Sequence, residues 1–302
     1  MSRVYFFIGS LLLLMVACKK EKGIVPSNKD VNYLVVHDNP SDPVDHGIYQ
    51  FYTATGIPVF YNDTLERKQV NNTSDIPVYA YIKLAVNYSP GGFDNNIWYR
   101  LLNSRQSVLP MLNIIQSGLI SVLPNSVFVP SILLVDSLKY RLWGRDDLIF
   151  PLNAYCGFNT LVIRSINPDT LDAQDRKKYL AGILAAVSTK KLRISSSAKL
   201  DNGFYKISME LSPENNTYEQ NFTFWFPDGS KVPEDLGFIF WYKIGEIVYT
   251  PSQKDDLTSY LEAAFYYTST AFNTTYANYP AVLKKFQVVR TMLKELGFQF
   301  SD

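Results

Sequence analysis

The chain has 302 residues, with 29 Lys and Arg against 28 Asp and Glu, and 15% of its residues are aromatic. That length suits one large domain or two small ones, and the near-zero charge argues against nucleic acid or a polybasic lipid surface as the main partner. The two cysteines, Cys18 and Cys156, exclude a disulfide framework and a Cys-rich zinc site.

In chain order, Arg3 and the apolar run Val4 to Ala17 read as the n- and h-regions of a secretory leader, residues 1–17. As a helix this run reaches only about 20 Å, short of the roughly 30 Å of bilayer hydrocarbon. Met15-Val16-Ala17 before Cys18 resembles the bacterial lipoprotein signal, the lipobox, with Met where Leu is usual. The resemblance implies that Cys18 is diacylated on sulfur, becomes residue one after cleavage and carries an acylated amine. Several acyl chains give stable anchoring where one does not. Lys19 stands where Asp would resemble an inner-membrane retention signal, so the expected address is the cell outer membrane. The basic stretch Lys19 to Lys22 does not reproduce the acidic surface-export tag of many Bacteroidota lipoproteins, which leaves either face of that membrane open. Residues 18–30 read as a flexible tether, and 31–302 as a single α+β domain. Without Arg3 the mature chain is neutral.

Tyr33 to Val36 reads as a short strand. Asp42 and Pro43 then open a helix that presents Val44, Ile48, Phe51 and Thr55 on one face and stops at Gly56. Ile57 to Tyr61 reads as a strand. Residues 76–87 alternate, placing Val78, Ala80, Ile82, Leu84 and Val86 on one side and Tyr79, Tyr81 and Lys83 on the other. Ser89 to Gly92 breaks that strand. Gln106 to Leu123 reads as a helix with a weak point at Gly118. Val127–Leu138 and Phe158–Ile166 read as inner strands, and the charged stretch from Lys139 to Asp147 as an exposed connection. Asp172 to Lys191 has acids early and lysines late, as the helix dipole favours, and its interior, Tyr179 to Val187, is apolar nearly all round. Tyr205, Ile207, Met209 and Leu211, followed by Phe222, Phe224 and Phe226, read as a β-hairpin. Two helices end the chain, Ser252 to Ala271 and Pro280 to Leu296, the second stopped by Gly297.

The residues single out no catalytic group, metal site or cofactor. His37 and His46 are nine apart, so no helical i, i+4 ligand pair exists. Asp45-His46 resembles half of a triad but has no G-x-S-x-G elbow, and Cys156 reads as a small buried hydrophobe. Residues 167–175 are acid-rich but lack the Gly-centred calcium loop. Tyr79 and Tyr81, with Trp225 and Trp241 in the aromatic segments 222–226 and 238–242, are the candidate ligand-binding residues, suited to stacking on sugars or gripping peptides. For each aromatic the competing place is the core.

Two stretches carry a family resemblance: "VDHGIYQFYTATGIPVFYNDTL", and a tail running from "LGFIFWYKIGEIVYTPSQKDDLTSYLEAAFYYT" to "NYPAVLKKFQVVRTMLKELGF". They resemble lipoproteins of Bacteroidota described as substrate-import-associated zinc metallohydrolases, over about half the chain and in patches. The resemblance implies a zincin-like fold, with a mixed sheet packed against helices and a helical C-terminal end. It also implies an association with SusC/SusD-type uptake systems for oligosaccharides or peptides. The family's zinc helix would fall on residues 176–191, which hold neither His nor Glu. Asp255-Asp256 falls where its third acidic ligand would be. The expectation is therefore a degenerate zincin-like frame that binds rather than cuts. The alternatives are a peptidase or glycosidase with another site, and a purely structural envelope lipoprotein.

Overall fold

Helix starts follow local capping chemistry. In the computed structural model, which describes residues 31–70, 76–87, 96–142, 145, 147–167, 170–214 and 216–300, α1 spans Pro43–Thr55. The Asp42 carboxylate accepts the backbone N–H groups of Val44 and Asp45, satisfying donors that the first turn leaves unpaired. The Arg105 guanidinium grips the same carboxylate at 2.8 and 2.9 Å and Asp45 at 2.5 Å. That grip holds the Asp42 carboxyl below the usual carboxylate range. Gly56 ends the helix in the left-handed region (φ 71°), as Gly297 does for the last helix (φ 103°).

The strands are β1 Val59–Phe60, β2 Thr64–Gln69, β3 Tyr79–Lys83, β4 Ile97–Leu101, β5 Ile132–Arg141, β6 Ile149–Pro151, β7 Ala154–Cys156 and β8 Leu161–Arg164. A six-stranded mixed sheet is built around β5. Its first half lies between β1 and β8, both parallel to it, and its second half between β4 and β6, both antiparallel. Val135 pairs with Leu101 on one side and Arg164 on the other, so β4 continues the β1 edge and β6 the β8 edge. β7 closes the β8 side, while β2 and β3 form a separate hairpin.

Alternation along β5 sorts the two faces. Ile132 and Leu134 join Leu161 and Ile163 in the main core. Leu133, Val135 and Val162 meet Leu84, Val86 and Ile97 on the other face. The helices α2 (Val108–Gly118) and α3 (Ala173–Ser195), the short α4 (Ser197–Lys199), α5 (Lys206–Leu211) and α6 (Phe222–Trp225), and the C-terminal α7 (Gln253–Tyr266), α8 (Ser269–Thr275) and α9 (Pro280–Leu296) complete the chain, with a small hairpin of β9 (Tyr242–Ile244) and β10 (Ile247–Tyr249) between α6 and α7. From Leu34 onward the chain is one compact α+β unit, with a mixed sheet packed against helices and a helical C-terminal end as expected.

Several elements depart from the sequence reading. Tyr33 to Val36 forms no strand. In the 76–87 stretch only Tyr79–Lys83 pairs, with β2, and Val78 is 51% exposed, because only Leu84 and Val86 reach the sheet. The helix expected over 106–123 ends at Gly118, with 3-10 turns before and after it. β5 begins after Pro130, which has no N–H to give to a ladder, and runs on through Lys139 to Arg141, into the stretch expected to be exposed. The expected hairpin over 205–226 is replaced by two helical segments, ending at Leu211 and spanning Phe222–Trp225. A π-turn at Leu200–Tyr205 leads into α5, and Phe204, Tyr205, Ile207 and Ser208 are buried while Met209 and Leu211 are over 40% exposed. The buried set follows a helical arc, so the alternating apolar spacing was accidental. Ser252 to Ala271 is two helices, because Thr268 caps a new one. The leader, Cys18, the tether and the 89–92 break lie outside the described residues.

Beneath α9 the core holds a charge. Lys285 and Asp256 have fully buried side chains with Nζ and Oδ2 2.5 Å apart. Tyr218 donates to the same carboxylate oxygen at 2.9 Å, and Lys285 donates to Ser208 Oγ at 3.0 Å. The rings of Phe204, Phe238 and Tyr260 surround Nζ at 4.3 to 4.9 Å. Burial pushes Asp256 up and Lys285 down, toward neutral acid and neutral amine.

Candidate functional site

A cleft of about 520 Å³ opens where β7 meets α3 and α7. Its floor is Ala154 and Cys156, with Val86 and Ile97 beside them. One wall is the C-terminal half of α3 and the other the first turns of α7. A second cavity of about 220 Å³ adjoins it, sharing Tyr140, Leu152, Asp255 and Thr258, and is walled by Phe150, Phe240 and Tyr242. The two together fall in the size range of small-molecule sites.

Sequence places the walls for simple reasons. The interior of α3 is apolar all round and packs between the sheet and α7; Thr189 and Thr258 hydroxyls meet at 3.0 Å between the two helices. At Gly182 an added Cβ would stand 3.0 Å from both Asn153 Nδ2 and Glu262 Oε1, so the glycine is what lets the helices close on these polar groups. Ser252 caps α7 and exchanges hydrogen bonds with Asp255, its N–H reaching Ser252 Oγ at 3.1 Å and Ser252 Oγ donating to Asp255 Oδ2 at 2.7 Å. That reciprocal cap holds the Asp255 carboxyl at the cleft. On the opposite side Lys190 donates to the carbonyls of Gly157 and Phe158 and fixes the turn after β7. Gly157 is required there, since an added Cβ would meet the Val86 carbonyl oxygen at 2.4 Å.

The cleft is chemically mixed. Lys254 lies over the Tyr155 ring at 5.0 Å and the Tyr140 ring at 5.8 Å, exposed Arg193 and Ile194 stand at the mouth, and Phe158 is 62% exposed on the fixed turn. Burial raises the carboxyls of Asp255 and Glu262 and the Cys156 thiol above their usual ranges. A raised thiol is a poor nucleophile. Asp255 and Glu262 are seven residues apart on one helix, about 10 Å along its axis, and share a wall rather than facing each other. Among the described residues no group of three or more His, Cys, Asp and Glu is placed to hold a metal.

The residues singled out in the sequence lie elsewhere. Tyr79 and Tyr81 sit on the β2–β3 hairpin, where Arg67 covers the Tyr79 ring at 3.7 Å and Tyr81 is 52% exposed. Trp225 packs against the main core at its edge. Trp241 lies 5.9 Å below Lys243 Nζ. None of the four lines the cleft. His46 bonds Asp38 at 2.7 Å and Gln50 at 2.9 Å on the outer face of α1, so its carboxylate partner is Asp38 and not the adjacent Asp45. Of the pair carried over from the resembled family, Asp255 faces the cleft, while Asp256 is sealed in the core beside Lys285. Sequence reasoning missed Lys190, Arg193 and Lys254; the one local signal was cationic residues at the end of α3 and the start of α7 in an otherwise apolar packing pair.

No protein-family model, curated protein or solved structure matches the chain.

Proposed function

We propose that the protein is a lipoprotein anchored in the cell outer membrane through Cys18. In this reading it is a non-catalytic binding subunit working beside SusC/SusD-like importer proteins, in a zincin-like frame. The observation that supports this most directly is the cleft. It joins aromatic walls to Lys254 and Arg193 and offers no activated nucleophile among the described residues. Rings of this kind stack on sugars or on peptide side chains, and the cations suit a ligand that carries an acidic group. Tyr79 and Tyr81 would add a separate aromatic contact outside the cleft, and Trp225 and Trp241 two smaller ones.

The test is twofold. Mild-detergent capture of the lipidated protein from its own outer membrane, followed by mass spectrometry, is expected to recover SusC- and SusD-like partners. Calorimetry against neutral and acidic oligosaccharides and peptides is expected to show binding that Arg193→Ala and Lys254→Ala weaken together. Recovery of the protein alone, with no heat from any ligand, would overturn the reading in favour of a structural envelope lipoprotein.

A second reading, a hydrolase using Asp255 as general acid, draws on the raised carboxyls of Asp255 and Glu262 in one cleft. It requires turnover of a peptide or glycoside that Asp255→Asn abolishes. Product release unchanged in that variant would remove it.

A further inference from the structure

The polar groups beneath α9 converge on one carboxylate oxygen. Lys285 donates to Ser208 Oγ and to Asp256 Oδ2, and Tyr218 donates to that same Oδ2. Asp256 Oδ1, also buried, has no hydrogen-bond partner. A buried carboxylate with one oxygen doubly bonded and the other unsatisfied is a costly way to hold two charges. We propose that Lys285 and Asp256 are joined covalently by an intramolecular isopeptide bond between Nζ and Cγ.

The step uses only these groups. The reacting forms are the free amine of Lys285 and the carboxylic acid of Asp256, toward which burial moves both groups. The nitrogen lone pair attacks Cγ, and the N–Cγ bond forms while the Cγ–Oδ1 bond breaks. Oδ1 departs as water, carrying the carboxyl proton and one proton that the nitrogen hands to it as the tetrahedral intermediate collapses. No oxidant, metal or second substrate enters. Tyr218 donates to Oδ2, the oxygen that stays as the amide carbonyl, and so draws electron density from Cγ as the attack proceeds.

The product fits the surroundings better than the reactants do. Its carbonyl keeps the bond from Tyr218, its N–H keeps the bond to Ser208, and the oxygen that is lost is the one with no partner. No ion pair can form there any longer. Phe204, Phe238 and Tyr260 then pack on a neutral amide and exclude the water that hydrolysis would need. The bond would tie α7 to α9, locking the C-terminal helices to each other.

Mass spectrometry of the full-length protein, denatured and digested with trypsin, decides this without any variant. The expected result, after a second cut with chymotrypsin at the aromatic residues between Asp256 and Lys285, is a branched peptide joining the two separated segments, lighter than their sum by one water, about 18 Da. Fragmentation should place the link at Asp256 and not at Asp255, and trypsin should not cut after Lys285. Lys285→Arg, which keeps the charge but lacks the amine, is expected to give linear peptides only. Linear peptides at full mass from the unaltered protein, with cleavage after Lys285, would overturn the proposal whether or not the variant folds.

Discussion

Asp255 and Asp256 are consecutive residues in the first turn of α7, and they live in opposite worlds. Successive residues on a helix point about 100° apart, which here is enough to send one carboxyl to an open cleft and the other into a sealed core. Asp255 is capped by Ser252 and stands among Lys254, Thr258 and the ligand-sized space beside β7. Asp256 has no exposed surface and is held by Lys285 and Tyr218. The first turn of one helix thus serves both as a wall for binding and as a tie within the fold. A pair of acids next to each other in sequence says nothing of shared chemistry.

The contrast can be broken most severely on the sealed side. Asp256→Ala leaves Lys285 buried without its counterpart, and removing one member of a buried pair costs about 3–5 kcal/mol. Urea unfolding should show that loss as a large fall in midpoint, and an unchanged midpoint would mean that the pair is not holding the core. Next in size is Gly157→Ala, whose Cβ would strike the Val86 carbonyl. The expected cost is about 1–3 kcal/mol, read as a lower Tm, together with a distorted cleft and weaker ligand binding.

A smaller effect sharpens the open side. Burial raises the Asp255 carboxyl in the folded protein, so the folded state holds that proton more tightly than the unfolded chain does. Its contribution is fully present below the ordinary carboxylate value, near pH 4. It is lost as pH rises from there through the raised folded value. Asp255→Asn should therefore flatten the fall in stability over that window, with urea midpoints at successive pH values as the measurement. Midpoints with an unaltered slope would show that the carboxyl is not desolvated. The smallest expected effect on stability is that of Arg193→Ala, within about 0.5 kcal/mol, because the side chain is exposed. Ligand affinity in calorimetry should nevertheless fall, by roughly tenfold, the worth of one charged contact.

Helix boundaries were legible where their causes are local. Asp42, Pro43 and Gly56 delimit α1, Asp172 starts α3, and Pro280 and Gly297 bracket α9, each within one turn of the residues that cause them. The α+β class followed from these and from the apolar strands. The segment 205–226 misled because Tyr205, Ile207, Met209 and Leu211 alternate by chance, and the π-turn that begins the helical path there has no sequence signature. The cleft was illegible for another reason. Its walls come from residues 86, 155, 190 and 254, which only the tertiary arrangement brings together. Lys285 did leave a trace: Ala281, Met292, Val289, Val282, Leu293 and Phe286 mark the buried face of α9, and Lys285 falls inside that arc. A lysine on the apolar stripe of an amphipathic helix is a signal of an internal partner.

β5 is bonded along both edges, to β1 and β4 on one side and to β8 and β6 on the other. Its amides at 132–135 consequently have no route to solvent short of dismantling the sheet. In deuterium exchange these protons should be the last in the molecule to be replaced, timed by global unfolding, while those of the β2–β3 ribbon should trade within the local breathing of a two-stranded hairpin. The central strand would thus serve as an internal clock for the whole domain, against which the opening of every outer element can be timed.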